Sequence, residues 1–191
     1  MNSRQRVSRP WVRRPPVTHN PAVPVVLGQG WPLRPATNAD RAAIKSLVNG
    51  ILKEYSLSTC GSPTDADLDD IESSYGGNQG YFAVVEQAGN IIATVGVYHL
   101  SADTCELRKM YAVPAARGKG LGKYLLNLAI DKAKEIGYQR MVLETAALLK
   151  EAIGLYKKYG FKEYHPDKIS ARCDQAYELM LKTGEQLTSR R

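Results

Sequence analysis

Residues 106–123, ELRKMYAVPAARGKGLGK, contain a run typical of a β-strand, then a proline, then a glycine-rich turn that opens a helix. Pro114 ends the strand, because a proline has no backbone N–H to donate to a neighbouring strand. After the turn, Leu121, Leu125 and Leu128 recur at helical spacing. The stretch therefore predicts a strand, a turn and a helix in direct succession, and the rest of the chain is interpreted around it.

The glycine-rich turn has the features of an anion-binding loop. Its glycines leave the backbone N–H groups uncovered at the positive end of the helix dipole. Such N–H groups, with basic side chains beside them, can hold a phosphate or pyrophosphate. Glycines are also common in plain strand-to-helix turns, so this stretch alone leaves both interpretations open. The glycines are Gly118, Gly120 and Gly122, and the basic residues are Arg117, Lys119 and Lys123.

The spacing of the glycines excludes two common phosphate-binding motifs. A Walker A loop that starts at Gly118 needs a second glycine at position 123, followed by a lysine. Lys123 and Tyr124 stand at these two positions instead. A dinucleotide fingerprint that starts at Gly118 and Gly120 also needs a glycine at position 123. The loop therefore belongs to neither motif.

Arg117, Gly120 and Gly122 instead fit the pattern Arg/Gln-x-x-Gly-x-Gly/Ala. In this the stretch resembles motif A of the GNAT superfamily, the GCN5-related N-acetyltransferases, whose loop binds the pyrophosphate of coenzyme A. The resemblance favours the anion-binding interpretation over the plain turn.

Two further stretches extend the resemblance. Residues 155–161, LYKKYGF, are similar to the Leu-Tyr-x-x-x-Gly-Phe signature of the same family. Residues 34–37, RPAT, together with Asp40, are similar to its usual opening. The likeness therefore covers about residues 31–182.

Hydrophobic patterning predicts an order of elements that agrees with this resemblance. Strand-like runs at 81–86, 90–99 and 104–113 predict an antiparallel meander, and a strand at 140–145 is expected to run parallel to 104–113. The resemblance implies a mixed α/β (α+β) fold: a central mixed sheet of six to seven strands, with the meander followed by a parallel splayed pair, flanked by about four helices. Further strands are predicted at 33–35, 161–164 and 175–181. A helix is predicted after Asp40, with Ile44, Leu47, Val48 and Ile51 on one face. Another helix is predicted at 148–159, with Leu148 in its apolar series.

Length and charge predict one domain with a basic tail. The chain has 191 residues with 43% hydrophobic content, which is enough for one well-buried domain. Residues 1–30 contain five of the 26 basic residues and no acidic one, which leaves 21 basic against 19 acidic residues elsewhere. The expected organisation is a disordered, Pro- and Arg-rich tail at 1–30, an N-acetyltransferase domain at 31–182 and a frayed tail at 183–191.

The basic tail leaves two interpretations open. Its five prolines oppose the amphipathic helix of an organelle transit peptide, so a solvated terminus is the first interpretation. The second is a basic arm that binds nucleic acid or anionic membrane weakly through phosphate contacts. The near-neutral domain itself gives no reason to expect nucleic acid as a partner.

Composition predicts neither a metal site nor a membrane span. The three cysteines are widely spaced without a Cys-x-x-Cys motif, and the three histidines are scattered. No apolar run reaches the roughly 18 to 20 residues that a membrane span needs. We therefore expect a cytoplasmic protein without a metal or membrane partner, for which a homodimer is a possible assembly.

The resemblance implies acetyl-CoA as the donor and coenzyme A as a product. Backbone groups of the strand would pair with the pantetheine arm, because a splayed strand edge offers N–H and C=O groups. A backbone N–H near Tyr111 or Ala112 would polarise the thioester oxygen. The implied coenzyme-binding residues are Met110, Tyr111, Ala112, Val113, Arg117, Gly118, Lys119, Gly120, Leu121, Gly122 and Lys123.

The resemblance also implies catalytic residues. Tyr156 matches the general acid that protonates the departing thiolate, although its position also suits a plain core residue. A base must deprotonate the amine, which is mostly protonated at neutral pH. Glu144 is the first candidate, because a carboxylate in a short buried strand is costly without a task, and Glu106 or a relayed water is the alternative. For either carboxylate, a salt bridge with Arg108 or Arg140 is the structural alternative.

One position departs from the family pattern. Many members carry an Asn at the start of the helix before Leu-Tyr, where this chain has Leu149, so a contact to the coenzyme is lost there. No cysteine lies within either signature, so direct attack in a ternary complex is expected.

The sequence therefore predicts an N-acetyltransferase that moves an acetyl group from acetyl-CoA to a primary amine of a small molecule or protein. The alternative is a coenzyme A-binding sensor or interaction module with weak or no turnover. The acceptor is not predicted, because acceptor choice depends on the site rather than on the fold. An acidic segment at 62–73 is either a solvated face or a rim that attracts a cationic amine, and its residues are Asp65, Asp67, Asp69, Asp70 and Glu72.

Overall fold

The computed structural model describes residues 25–26, 30–59, 63–76 and 79–181. Its centre is an eight-stranded mixed sheet with the strand order β1-β2-β3-β4-β5-β6-β8-β7. The strands are β1 (Val25–Val26), β2 (Pro32–Pro35), β3 (Tyr81–Gln87), β4 (Asn90–His99), β5 (Thr104–Ala112), β6 (Arg140–Thr145), β7 (Lys162–Tyr164) and β8 (Gln175–Met180).

Three α-helices and four short helical segments accompany the sheet in the described part of the chain. The α-helices are α1 (Arg41–Glu54), α2 (Leu121–Ile136) and α3 (Lys150–Lys158), and the short segments are Asn38–Asp40, Pro63–Leu68, Glu72–Gly76 and Pro114–Ala116. The predicted mixed fold, with its antiparallel meander and one parallel pair, is confirmed. The sheet has one strand more than expected, because the two-residue β1 joins its edge.

The first strand corrects the predicted boundary of the domain. Val25 of β1 pairs with Leu33 of β2 in antiparallel register, so the sheet begins inside the stretch that the sequence assigned to the tail. Residues 1–24 and 182–191 lie outside the described residues, and so do the remaining predictions for the two tails.

Two hydrophobic clusters cover the two faces of the sheet. In β3, Ala83 and Val85 pack in the cluster that includes α2, whereas Phe82 and Val84 pack in the cluster that includes α1. Because both faces are covered, β3 reads as a continuous apolar run rather than as an alternating one. Within the described residues, no helix is long and apolar enough to cross a lipid bilayer.

Helix α1 confirms the amphipathic pattern of its sequence. Its buried residues include the four that were predicted to share one face. A capping box between Thr37 and Asp40 precedes it. Arg34 binds Asp40 at 2.7 Å and Glu86 of β3 at 2.5 Å, so the opening signature joins β2, β3 and the start of α1. The hydrogen bond from Arg34 lowers the pKa of Asp40.

The start of α3 differs from the prediction. The helix begins at Lys150 with Leu149 as its N-cap, and Leu148 is 55% exposed. Leu148 is therefore not part of the buried helical face. The physical reason is that the preceding segment forms a turn, in which Leu149 N–H donates to Ala146 O at 2.9 Å.

Strands β5 and β6 separate soon after they pair. Their parallel pairing runs from Thr104 opposite Arg140 to Glu106 opposite Val142, and then stops. β5 continues beside β4, while β6 continues beside β8. A β-bulge at Lys109, whose φ is 51°, bends β5 on the way. The two strands therefore splay apart.

Gly137 ends α2 in a left-handed conformation with a φ of 109°, and its N–H donates to Ala133 O and Lys134 O. We expect Gly137→Ala to lower the free energy of unfolding by about 1–2 kcal/mol, because a side chain is strained there. Urea unfolding measures this loss. Gly154→Ala is the matched control, since an added Cβ inside α3 has no heavy atom within 4 Å, and it should raise stability by up to about 1 kcal/mol. Equal effects of the two variants would contradict the assignment of the cap.

Candidate active site

A cavity of about 570 Å³ occupies the gap between the splayed strands β5 and β6. Its walls come from β5, β6, the C-terminal end of α1, the start of α2, α3 and the loop between β7 and β8. Each strand still has a partner on its other side, so the gap can open without disrupting the sheet. The geometry therefore brings the glycine loop and the candidate catalytic residues to one space.

At one end of the cavity lies the glycine loop. Gly118 and Gly120 have φ values of 72° and 82°, and a Cβ at either would meet no atom within 4 Å. The first hydrogen bond of the α2 ladder runs from Tyr124 N–H to Gly120 O at 3.1 Å. The N–H groups of residues 121–123 come before it and have no partner within the helix. The loop therefore presents uncovered donors, as an anion site requires.

The side chain of Arg117 is engaged inside the protein. Its guanidinium binds both oxygens of Glu54, at 2.6 and 2.8 Å, and donates to Ala112 O at 2.9 Å. The hydrogen bond to Glu54 raises the pKa of Arg117. Because its charge is matched by Glu54, the loop offers an anion its backbone N–H groups, while Arg117 joins the loop to the end of α1.

Tyr156 lies on the wall of the cavity and is only 6% exposed. Among the residues that the structure describes, none hydrogen-bonds to its hydroxyl. Burial, and then the nearby Tyr111, raise the pKa of Tyr156 well above its ordinary value. The phenol therefore keeps its proton at neutral pH, as a general acid must. Tyr156 also packs on Phe161, so it is a core residue and a cavity residue at once.

Glu106 lies at the point where β5 and β6 separate. Arg108 Nε donates to its Oε2 at 2.7 Å, so the predicted salt-bridge alternative describes a real contact of this residue. Burial raises the pKa of Glu106, Arg108 opposes the shift, and Glu144 adds to it. The two carboxylates therefore interact through their charges across the mouth of the gap.

Glu144 has a different environment. The backbone N–H of Ser170 donates to its Oε2 at 2.9 Å, and the hydroxyl of Ser170 donates to the same oxygen. Arg140, the predicted salt-bridge partner, binds Glu178 at 2.7 Å instead, so that alternative is wrong for Glu144. Within the described ranges, no basic side chain forms an ion pair with Glu144.

Two residues of the acidic segment correct the sequence analysis. Asp65 and Asp67 are buried, so they form neither a solvated face nor an exposed rim, whereas Asp69, Asp70 and Glu72 are exposed. Lys109 Nζ binds Asp65 at 2.7 Å and lies 3.3 Å from Asp67. The sequence could not show this, because the partners of Asp65 lie 44 and 107 residues further along the chain.

The loop between β7 and β8 supplies functional candidates that the sequence analysis missed. Ser170, Arg172 and Cys173 line the cavity. Burial and then Glu144 raise the pKa of Cys173 to about 11, so its thiol stays protonated at neutral pH. Arg172 Nη2 donates to Asp65 Oδ1 at 2.6 Å. No motif marks these residues, because only the tertiary fold brings this loop to the cavity.

The structure brings most of the predicted site residues together. Val113, Lys119, Gly120 and Lys123 do not line the cavity. Lys119 Nζ instead lies 5.6 Å from the ring of Trp31. Among the described residues, no group of three or more His, Cys, Asp or Glu could hold a metal ion. The predicted residues on the cavity wall are Glu106, Met110, Tyr111, Ala112, Arg117, Gly118, Leu121, Gly122, Glu144 and Tyr156.

Comparison with known proteins identifies the family. Residues 48–161 match the sequence profile of the Acetyltransferase (GNAT) family. The chain belongs to this family. It is 40% identical over 135 residues to the N-acetyltransferase YjgM of Escherichia coli, a relative described as uncharacterized. The aligned region covers 68% of this chain and 81% of the relative.

Solved GNAT structures share the fold. An acetyltransferase of the GNAT family from Staphylococcus aureus superposes with a TM-score of 0.72 at 22% identity and covers 80% of this chain and 99% of its own. The structure of yncA from Salmonella typhimurium with its cofactor acetyl-CoA gives a TM-score of 0.62 at 24% identity, covering 80% of this chain and 94% of its own. At these identities the likeness shows a GNAT fold, including the mixed sheet.

Asp65 provides a test of the buried contacts in this GNAT domain. Burial alone would raise its pKa, but hydrogen bonds from Arg172 and Lys109 outweigh burial and hold the pKa of Asp65 well below its usual range. We expect Asp65→Asn to lower the free energy of unfolding by about 3 kcal/mol at pH 7, because two buried cations lose their carboxylate.

The effect of Asp65→Asn should depend on pH. The folded pKa of Asp65 is depressed, so the contribution is complete above the unfolded value of about 3.9 and is lost as the pH falls through the folded value. Urea unfolding of wild type and variant at pH 7 and in acid measures it. Asp69→Asn removes the same charge from an exposed position and should change stability by less than about 0.5 kcal/mol. A difference between wild type and Asp65→Asn that persists unchanged in acid would contradict the ion pair.

Proposed function

We propose that this chain is an acetyl-CoA-dependent N-acetyltransferase that acts on a primary amine by direct attack in a ternary complex. The observation that carries the proposal is a single cavity with the uncovered N–H groups of the glycine loop at one end and Glu106, Glu144 and Tyr156 further along. Membership of the GNAT family supports the reaction class. The GNAT structure of yncA, which contains acetyl-CoA, supports the donor.

The residues present fit a coenzyme of this shape. The space above Gly118 and Gly120 leaves room for a pyrophosphate close to the backbone. Beyond Glu106, the edge of β5 that faces β6 has no strand partner in the described chain, so its N–H and C=O groups suit an extended amide-bearing arm. One group on this strand, Ala112 O, already accepts from Arg117 Nε. Bound acetyl-CoA would supply a thioester whose carbonyl carbon accepts the amine.

Two carboxylates of this chain are candidates for accepting the proton of the amine. We assign the proton acceptor to Glu144, because Ser170 alone engages it and no basic side chain in the described ranges neutralises it. Glu106, which Arg108 binds, is the alternative base, and a relayed water is the third possibility. The raised pKa of Cys173 supports direct attack, since a thiol that keeps its proton is a poor nucleophile.

The loss of rate on substitution distinguishes the two carboxylates. Replacing the base by Gln should lower kcat/KM by roughly 10² to 10⁴-fold. We expect this result for Glu144→Gln, and a loss of less than about tenfold for Glu106→Gln. Release of free thiol from acetyl-CoA measures the rate. The opposite ranking would move the assignment to Glu106, and a loss of less than about tenfold in both variants would favour the relayed water.

Tyr156→Phe tests the general acid. It should lower kcat by roughly 10²-fold or more while the calorimetric Kd for acetyl-CoA stays unchanged, because the variant loses only the hydroxyl proton. Tyr159→Phe, at the C-cap of the same helix, is the matched control, since the Tyr159 hydroxyl donates to Lys123 O at a long 3.4 Å. If Tyr156→Phe keeps the wild-type rate, the acid assignment fails.

One observation favours a second function. Leu149 caps α3 and lines the cavity at the position where many family members carry Asn. A coenzyme A-binding sensor or interaction module with weak or no turnover is therefore the second candidate. Calorimetric binding of acetyl-CoA without thiol release for any amine in a broad panel would support this module, and absence of binding would contradict both functions.

The cellular context of the protein stays a prediction. The composition predicts a cytoplasmic location, a near-neutral domain that binds no nucleic acid, and a tail that binds polyanions weakly at most. A homodimer also stays a possible assembly. Sedimentation of the purified chain and salt-dependent RNA binding before and after removal of residues 1–24 test these points.

A further inference from the structure

We infer that the acceptor is a primary amine without a carboxylate beside its amino group, and not a free α-amino acid. The inference rests on the proposed function and deepens it, because it concerns the charges at the acceptor end of the same cavity. This end is opposite the glycine loop, where the walls come from β5, β6 and the loop between β7 and β8.

Two of the three cations at this end are bound by one carboxylate. Asp65 Oδ1 accepts hydrogen bonds from Lys109 Nζ at 2.7 Å and from Arg172 Nη2 at 2.6 Å. The side chains of Asp65, Lys109 and Arg172 are 2%, 3% and 9% exposed. A substrate carboxylate would therefore have to displace Asp65 from a buried, hydrogen-bonded position before either cation could bind it.

The third cation is also committed. Arg108 binds Glu106 through Nε at 2.7 Å and Nη2 at 2.6 Å, and its guanidinium lies 4.0 Å from the centre of the Tyr98 ring. Its remaining nitrogen, Nη1, lies 3.8 Å from Asp67. Arg108 is thus held by two carboxylates and an aromatic face, and it is not directed to a ligand.

The carboxylates outnumber the cations. Asp65, Asp67, Glu106 and Glu144 face Arg108, Lys109 and Arg172, so the group carries one excess negative charge when all are ionised. Glu144 is the member without an ion pair in the described residues, and its neighbours are the N–H and O–H of Ser170. An ammonium group balances this charge, whereas a substrate carboxylate beside it would add an unmatched negative charge in a buried site.

The internal residues that the structure does not describe leave this balance unchanged. Residues 27–29, 60–62 and 77–78 contain no Lys, Arg or His. The internal chain around the cavity therefore has no further cation to offer from those positions. The acceptor end therefore favours an ammonium group and disfavours a carboxylate on the carbon that carries this group.

Matched pairs of amines that differ only in the carboxylate test the inference. The pairs are tyramine and L-tyrosine, agmatine and L-arginine, and histamine and L-histidine, each measured by thiol release from acetyl-CoA with the full chain. We expect kcat/KM to be at least tenfold higher for the amine than for the amino acid. Calorimetry of the protein with coenzyme A should show the same order of binding.

The outcomes separate this inference from the proposed function. Equal or higher kcat/KM for the amino acids overturns the inference but supports the acetyltransferase. Binding of neither member of any pair to the coenzyme A complex at millimolar concentration also overturns it, because the excess charge should take a free ammonium. Failure to bind acetyl-CoA overturns the proposed function itself.

A variant that removes the charge of Asp65 tests whether the buried ion pairs cause this preference. Asp65→Asn releases Arg172 towards the cavity, while Asp67 and Thr64 O still hold Lys109, so the tyramine-to-tyrosine ratio of kcat/KM should fall at least fivefold. Asp69→Asn removes one charge from the same segment at an exposed position and should leave the ratio unchanged. An unchanged ratio in a folded Asp65→Asn variant would contradict the role of the buried cations.

If Asp65→Asn lacks the native circular dichroism spectrum, Glu106→Gln takes its place, since it releases Arg108 instead. The ratio of two substrates on one variant cancels a general loss of catalytic power, so it stays interpretable. A fall of the ratio supports the inference, and a constant ratio contradicts it.

Discussion

The early end of the pairing between β5 and β6 is the constraint on which the rest of the structure depends. After Glu106 pairs with Val142, each strand keeps only the neighbour on its other side. The bulge at Lys109 bends β5 at the same place, and Thr94 Oγ1 donates to Lys109 O at 2.6 Å to support it. The gap is therefore bordered by strands that are held by hydrogen bonds elsewhere in the sheet.

The two ends of the gap differ in chemistry because different elements reach them. The glycine loop enters at the start of α2, where the backbone N–H groups and the helix dipole favour an anion. The carboxylates Glu106 and Glu144 lie where the strands separate, and Tyr156 enters from α3. The function proposed above assigns the anionic donor to the first end and the amine acceptor to the second.

The buried ion pairs join segments that are far apart in the chain. Asp65 precedes the sheet meander, Lys109 lies in β5, and Arg172 lies in the loop between β7 and β8. Buried ion pairs add little net stability compared with apolar packing, since desolvation offsets their attraction. Their effect here is positional: Arg172 anchors the loop whose Ser170 binds Glu144. Local patterns could not predict this, and the same holds for the burial of Asp65 and the exposure of Leu148.

The sequence by itself determined the elements and the loop, because hydrophobic period, Pro114 and the glycines act over a few neighbouring residues. It also predicted Tyr156 as a site residue through the signature at 155–161, and Glu144 through its place in a short buried strand, and both line the cavity. Only the tertiary structure decided which charges remain unpaired. That depends on contacts such as Arg172 with Asp65, which span 107 residues, and on the desolvation that burial imposes on each group. Because β5 and β6 splay apart, the residues of these contacts lie along the same cavity as the glycine loop.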